Sequence, residues 1–242
     1  MISTLWLLTK RLPIKLVTCS VLILTLGTTP VVLAEKGAPD NDAPRGNTTS
    51  TGTRGGCENS TQGELTVLAP TKEGKTASVR PTFAWFVPDT KPLAMKFLLY
   101  ELNRNNDFRL VAQIDLTSSS GIRKVTLTED IPALIVGKRY HWKVVLLCDR
   151  NHPSKDLIAE ADFEVVEMPS TLRNALSTTK EPAQIVQLYA QYNLWYDAFG
   201  EALRYEQDTR LKQVTVTLLN ELAKIEEAQQ GQKLRRIASS QQ

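Results

Sequence analysis

Long apolar runs are missing from the 242 residues: only one short stretch, near the start, is continuously apolar, which excludes a multi-pass membrane protein. Catalytic signatures are missing too. There is no Gly-x-Ser-x-Gly elbow, no His-Glu-x-x-His zinc helix, no phosphate loop and no Rossmann glycine fingerprint. Histidine occurs twice and cysteine three times. A charged fraction of 23% beside 42% apolar residues excludes collagen, coiled coil and wholly disordered chains. What remains is an ordinary globular protein, one large domain or two small ones, with enough chain to bury a core.

What is there begins with an address. Lys10, Arg11 and Lys15 form a positive segment, residues 16–26 an uncharged apolar one, and Val32-Leu33-Ala34 a signal-peptidase site. This three-part pattern predicts an export signal over residues 1–34, with cleavage between Ala34 and Glu35. An uncleaved anchor would need roughly 20 apolar residues, and the apolar segment has eleven. Cys19 lies inside that segment and not after it, which disfavours a lipoprotein signal. Without residues 1–34 the formal charge falls from +3 to zero, with 26 residues of each sign. The basic surplus therefore argues for no nucleic-acid partner. Cys57 and Cys148 remain, and in an oxidising compartment two cysteines are most simply a disulfide. Closing so long a loop stabilises by roughly 4–5 kcal/mol in the chain-entropy model.

Residues 35–62 contain no large apolar side chain and read as a flexible tether, in which Asn47 and Asn59 are plain loop residues despite their glycosylation-like context. From residue 63 to 168 the period is two. Strands are expected at Leu65–Leu68, Thr82–Val87, Met95–Leu102, Phe108–Leu116, Gly121–Leu127, Arg139–Cys148 and Leu157–Val166. No stretch between them is long enough for a helical crossover, so the sheets should be antiparallel. Trp85 and Trp142 sit in phase with apolar neighbours and should fill the core, while His141 should point outward as a solvated residue.

After Pro169 the period becomes helical. Ser170 is expected to cap a short helix, Pro182 to open a longer one and Asp208 to cap another. Ile185, Leu188, Tyr192, Trp195, Phe199 and Ala202 make one apolar stripe, and Leu211, Val214, Leu218, Leu222 and Ile225 a second. The helical region is set at 169–229 and a frayed polar tail at 230–242. The fold class is thus α+β: an antiparallel β-sandwich followed by a C-terminal helical hairpin.

Pro81-Thr-Phe-Ala-Trp85, the turn Pro132-Ala-Leu-Ile-Val-Gly137 and Tyr140-His-Trp142 occur in an order that resembles a fibronectin type III or immunoglobulin-like module. That resemblance implies a fold and no function. Tyr189-Ala-Gln-Tyr-Asn-Leu-Trp-Tyr-Asp-Ala198 resembles the middle of a tetratricopeptide repeat, with Asn193 where a glycine would open the turn. Whether the helix breaks at Asn193 or runs through is open at this stage. Tyr189, Tyr192, Trp195, Tyr196 and Asp197 are the candidate interaction surface.

A third resemblance spans nearly the whole exported part. Thr53-Arg-Gly-Gly-Cys57, Leu65-Thr-Val-Leu-Ala-Pro70, Pro81-Thr-Phe-Ala-Trp-Phe-Val-Pro88, Gly137-Lys-Arg-Tyr-His-Trp-Lys-Val-Val-Leu-Leu-Cys148 and Leu194-Trp-Tyr-Asp-Ala198 follow in that order. The succession resembles an exported cyanobacterial family, domain of unknown function 928. It implies export and a β region followed by helices, and it brings no activity.

Chemistry has few candidates. Asp149, His152 and Asp156 share one loop, but a single histidine beside a proline is a poor metal set, so no metal or cofactor is expected. The charged run at 221–227 reads as the wet side of a helix. The leading expectation is a non-catalytic module of the periplasm or cell surface that binds an envelope protein or peptide, with no membrane span after processing. A carbohydrate- or envelope-polymer-binding protein using Tyr192, Tyr196 or Phe86 is the alternative. A hydrolase drawing on unpatterned carboxylates comes third.

Overall fold

The computed structural model describes Cys57 and residues 63–103, 107–205 and 208–241. All of these residues belong to one compact unit within 43–242. The signal segment, the Ala34–Glu35 cleavage point and, apart from Cys57, the tether at 35–62 lie outside them.

Eight strands come first: β1 (Thr66–Val67), β2 (Gly74–Thr76), β3 (Thr82–Val87), β4 (Ala94–Leu102), β5 (Phe108–Thr117), β6 (Gly121–Thr126), β7 (Arg139–Leu146) and β8 (Leu157–Val165). Five helices follow: α1 (Ser170–Thr178), α2 (Pro182–Gln191), α3 (Trp195–Ala202), α4 (Thr209–Ile225) and α5 (Ala228–Ser240). The fold is α+β. One sheet has the order β1-β3-β6, the other β2-β8-β7-β4-β5. Every pairing is antiparallel except β2 with β8. That strand is absent from the sequence expectation, because Gly74-Lys-Thr76 is too short to show a period of two.

The inward faces of the two sheets share one core. Phe83 and Trp85 of β3 meet Phe97 of β4, and Phe83 also meets Trp142 and Phe163 with ring centroids 5.1 and 5.3 Å apart. The other side of the three-stranded sheet is covered too: Leu68, Ala84 and Phe86 pack against Val186, Ala198, Phe199 and Leu219 of the helices. β3 is therefore buried on both faces, which its sequence achieves with Ala84 and Phe86 interleaved between Phe83, Trp85 and Val87. β4 instead buries Met95, Phe97 and Leu99 on one face only. The order of layers is helices, three-stranded sheet, five-stranded sheet.

The helical expectations need three corrections. First, five helices form in place of one hairpin. The chain breaks at Asn193, whose φ of 57° is left-handed. Asn193 N donates to Ala190 O and Leu194 N to Tyr189 O at 2.9 and 3.0 Å, the two bonds that satisfy the last carbonyls of a helix ending this way. Asparagine tolerates that conformation, so the apolar stripe passes through a turn without losing phase. Second, Ser170 lies inside α1 with Pro169 as the preceding residue, and its side chain makes no cap. Asp208 does cap α4, accepting from Arg210 N at 2.8 Å.

Third, the stretch from residue 230 does not fray. It forms most of α5, with Leu234, Ile237 and Ala238 buried. Three contacts clip this end of the chain to the start of the β region. Lys233 Nζ lies 2.5 Å from Glu64 Oε2, Gln230 Nε2 donates to Val67 O at 3.3 Å, and Glu226 accepts from both Thr71 N and Thr71 Oγ1 at 3.0 and 2.6 Å. A polar sequence hid a helix because its apolar residues are few, although Leu234, Ile237 and Ala238 do fall at three- and four-residue steps. Cys57 and Cys148 form the disulfide, with Cα atoms 5.2 Å apart.

Candidate functional site

Three of the five residues expected to form an interaction surface, Trp195, Tyr196 and Asp197, join the helices to the sheets. Tyr196 is 2% exposed, its ring set among Phe83, Trp142 and Phe163 in the core between the sheets. Its hydroxyl accepts from Trp142 Nε1 at 2.9 Å. Burial pushes the phenol far above its ordinary ionisation range, even against that hydrogen bond, so it stays neutral. Trp195 stacks on Phe199 with centroids 5.3 Å apart and donates from Nε1 to Leu68 O at 2.9 Å. Asp197 accepts from Ala77 N at 2.9 Å, just past the end of β2. Burial raises its carboxyl pKa, opposed by hydrogen bonds from Ala77, Thr76 and Ser78. Three consecutive side chains of α3 thus bind three different places in the β region.

Two glycines make room for them. A Cβ on Gly74 would lie 2.9 Å from Tyr196 Cε2, and one on Gly200 would lie 3.0 Å from Thr82 Cβ. Tyr196 and Asp197 are therefore corrected from surface to framework. The physical reason is that the break at Asn193 rotates α3 so that its start enters the sheet edge. Tyr189 is partly buried, packed against the helical core. Tyr192 alone of the five stands well exposed, at 38%, with its hydroxyl donating to Thr171 Oγ1 at 3.0 Å. Of the three aromatics on which polymer binding relied, Phe86 and Tyr196 are buried, so that version loses two of its three contacts.

Four of the five stretches behind the third resemblance, all but Thr53–Cys57, supply residues to this junction. Leu68 carries the carbonyl that Trp195 binds, β3 supplies Phe83, and β7 supplies Trp142. These stretches thus meet in the packing between the sheets and the helices.

The outer face of the five-stranded sheet is different. No described helix covers it. Across β7 and β8 three pairs of basic and acidic residues stand directly opposite one another: Arg139 with Glu164, His141 with Asp162, and Lys143 with Glu160. The chain alternation of each strand holds these signs in plain sight, but only the register reveals that they pair. His141 is enclosed, not solvated as expected. Its Nδ1 lies 2.8 Å from Asp162 Oδ1, its Nε2 3.5 Å from Glu160 Oε2, and Phe108 meets its ring edge-on at 5.2 Å. Burial alone would lower the imidazole pKa, but the two carboxylates outweigh it and the net shift is upward. Both ring nitrogens face acceptors, so the arrangement suits the doubly protonated ring.

Beside this ladder, Tyr100 and Leu102 of β4 and Phe108 and Leu110 of β5 make an apolar strip, with Phe108 37% and Leu110 50% exposed. Lys143 Nζ sits 5.4 Å from the Tyr100 ring centre. On the inner side, Glu101 is buried and held by Arg109 and, at 3.0 Å, by Lys138. Those hydrogen bonds, to Arg109 first, hold its carboxyl below the usual range.

The loop after Cys148 gathers no metal set. Asp149 Oδ2 takes His152 Nδ1 at 2.7 Å and Lys155 Nζ at 3.2 Å, while Asp156 turns away to accept from Cys148 N at 3.0 Å. Among the described residues no three His, Cys, Asp or Glu side chains gather as a metal ion requires, and no helix is long and apolar enough to cross a membrane.

Among solved structures, Astrotactin-2, described as a conserved vertebrate-specific and perforin-like membrane protein involved in neuronal development, is similar at 12% identity and a TM-score of 0.28. The match covers 66% of this chain and 36% of that one, so the chain spans about a third of that protein, and likeness at this level carries no argument. No curated protein matches the chain. A family model does, over residues 49–231, and on that match the chain belongs to the family described as Domain of Unknown Function (DUF928).

Proposed function

We propose that this protein is an exported, non-catalytic interaction module of the periplasm or cell surface, from a cyanobacterial source, that binds an envelope protein or peptide through the outer face of its five-stranded sheet. The observation that carries the reading is that face itself. Phe108 and Leu110 stand exposed beside three cross-strand neighbours of opposite sign, which cost less to cover than unpaired charges would. Export is supported by the signal-like residues 1–34 and by the Cys57–Cys148 disulfide, which suits an oxidising compartment.

The β region is read as an immunoglobulin- or fibronectin III-like sandwich. Supporting this, β1-β3-β6 and β8-β7-β4-β5 follow the strand orders of such modules. Tyr140 near the start of β7 also accepts at its hydroxyl from Ile135 N, five residues upstream, at 2.9 Å. That bond has the form of a tyrosine corner. Neutral pairing on the exposed face disfavours a nucleic-acid partner.

The test is site-specific photo-crosslinking in intact cells, with the crosslinker at Phe108 and, as a control, at Ile225 on α4. Envelope components captured from Phe108 and not from Ile225 support the reading. A protein retained in the cytoplasm, or equal capture from both positions, overturns it.

A further inference from the structure

The edge of the same sheet says what kind of partner fits. β5 is the outermost strand of the five, ten residues long, and among the described residues nothing pairs with its far side. Its hydrogen bonds to β4 fix which residues look outward. Asn103 N donates to Asp107 O and Ser118 N to Leu93 O, so the bonded pairs lie at 103/107 and 93/118. Antiparallel ladders alternate bonded and unbonded pairs. Counting inward from both ends leaves the backbone N–H and C=O of Phe108, Leu110, Gln113, Asp115 and Thr117 directed at the open edge.

Natural sheets protect such edges with lysine, proline, bulges, inward-pointing charges or very short strands. Of these β5 has only the bulge at Val111 and the inward Arg109, both in its first half. β5, Phe108-Arg-Leu-Val-Ala-Gln-Ile-Asp-Leu-Thr117, contains neither lysine nor proline. Its one basic residue, Arg109, is bonded to Glu101 of β4. On the inner side Val111, Ile114 and Leu116 are only partly buried against the core, so a further strand would complete their cover. On the outer side Phe108 and Leu110 offer apolar contacts.

We infer that an extended peptide segment with apolar side chains at alternate positions adds to β5 as a sixth strand. This rests on the binding-module reading and names its partner. Backbone hydrogen bonds supply affinity, while Phe108 and Leu110 on one side and Ile114 and Leu116 on the other select the alternating apolar residues. The outward-facing residues carry a single charge, that of Asp115, so the partner segment is close to neutral. A second copy of this chain fits less well. The register slips between Leu99 and Tyr100, where Val111 is extra, and two whole β5 strands could not pair regularly across two such bulges. A single peptide strand has only the one bulge of β5 to accommodate.

The probe is a random peptide library displayed on phage and selected on the immobilised full chain, followed by titration of the enriched peptides. They should share apolar residues at every second position. Asp115→Pro removes an outward N–H without taking any bond from the β4 ladder, since proline is tolerated on edges. It should weaken binding by about tenfold or more, the scale of losing one or two backbone hydrogen bonds. Peptides N-methylated at alternate residues should lose binding to the unaltered protein by a similar factor, a readout independent of how the variant folds.

Enrichment of no peptide overturns the inference, as does indifference to both the proline and N-methylation. So does self-association that Asp115→Pro abolishes, because the occupant is then a second copy. None of these outcomes touches the Phe108 crosslinking result, which judges the binding-module reading separately.

Discussion

Trp142 in β7 and Tyr196 in α3, 54 positions apart, share a buried hydrogen bond of 2.9 Å from indole nitrogen to phenolic oxygen. It is a polar link inside the core between the sheets, where Phe83 and Phe163 also meet the Tyr196 ring. Tyr196→Phe keeps the ring and strands the indole N–H, which should cost about 1–3 kcal/mol. Tyr196→Ala also opens a cavity and should cost about 3–5 kcal/mol. Urea denaturation should show the difference as a lower midpoint. Adding Trp142→Phe to Tyr196→Phe should cost less than the two single losses summed, because the donor is gone as well.

Asp197 should show in the pH dependence. Its pKa is raised in the fold, mainly by burial, so ionisation opposes folding. The benefit of the neutral form is complete below the unfolded value of about 3.9 and fades as pH rises through the raised folded value. The stability of the parent minus that of Asp197→Asn should therefore decline with pH across that interval. A flat difference would mean the carboxylate is solvated. Asp197→Ala, which leaves Ala77 N without its partner, should destabilise at every pH by about 1–3 kcal/mol.

His141 runs over a higher window. Its raised pKa means that its ion pairs stabilise fully below the unfolded value of about 6.5 and that this contribution is lost as pH rises through the folded one. A nuclear magnetic resonance titration should place His141 above the ordinary value. Asp162→Asn and Glu160→Gln should each bring it down. An unshifted titration in Asp162→Asn would show that the cross-strand pair is not formed.

Gly231 is where α5 touches α4. A Cβ there would sit 2.5 Å from the Ala223 carbonyl oxygen, a distance that forces the helices apart. Gly231→Ala should destabilise by about 1–3 kcal/mol despite the better helix propensity of alanine. An unchanged denaturation midpoint would place the two helices further apart than described.

The disulfide can be tested by Cys57→Ser with Cys148→Ser. Its residues are 91 positions apart, and releasing so long a loop should cost up to about 4–5 kcal/mol. The loss should be matched by reducing the parent, and thermal unfolding with and without reductant measures it.

How much of this could be read beforehand depended on whether a signal was local. Alternation placed β3 to β8 well, since each is at least six residues long. β2, at three residues, exists only because β8 lies beside it. Trp195 and Phe199 of α3 belong to the expected helix stripe and Tyr196 lies outside it, but periodicity cannot say which of two cores each side chain enters. Tyr196 enters the one between the sheets, Phe199 the helical one. The partnering of His141 and the exposure of Phe108 and Leu110 depend on which strands are neighbours. Single strands carry no such information.

The clips from Glu226, Gln230 and Lys233 back to Thr71, Val67 and Glu64 make the fold circular in the order of its assembly. The first strand of the β region, only two residues long, is secured by the last helix of the chain, and the core between the sheets is closed by Tyr196. A growing polypeptide that has produced the β region but not residues 195–238 has an open core and a loose first strand. It reaches its stable form only when α5 arrives, so removing α5 should be felt first at β1.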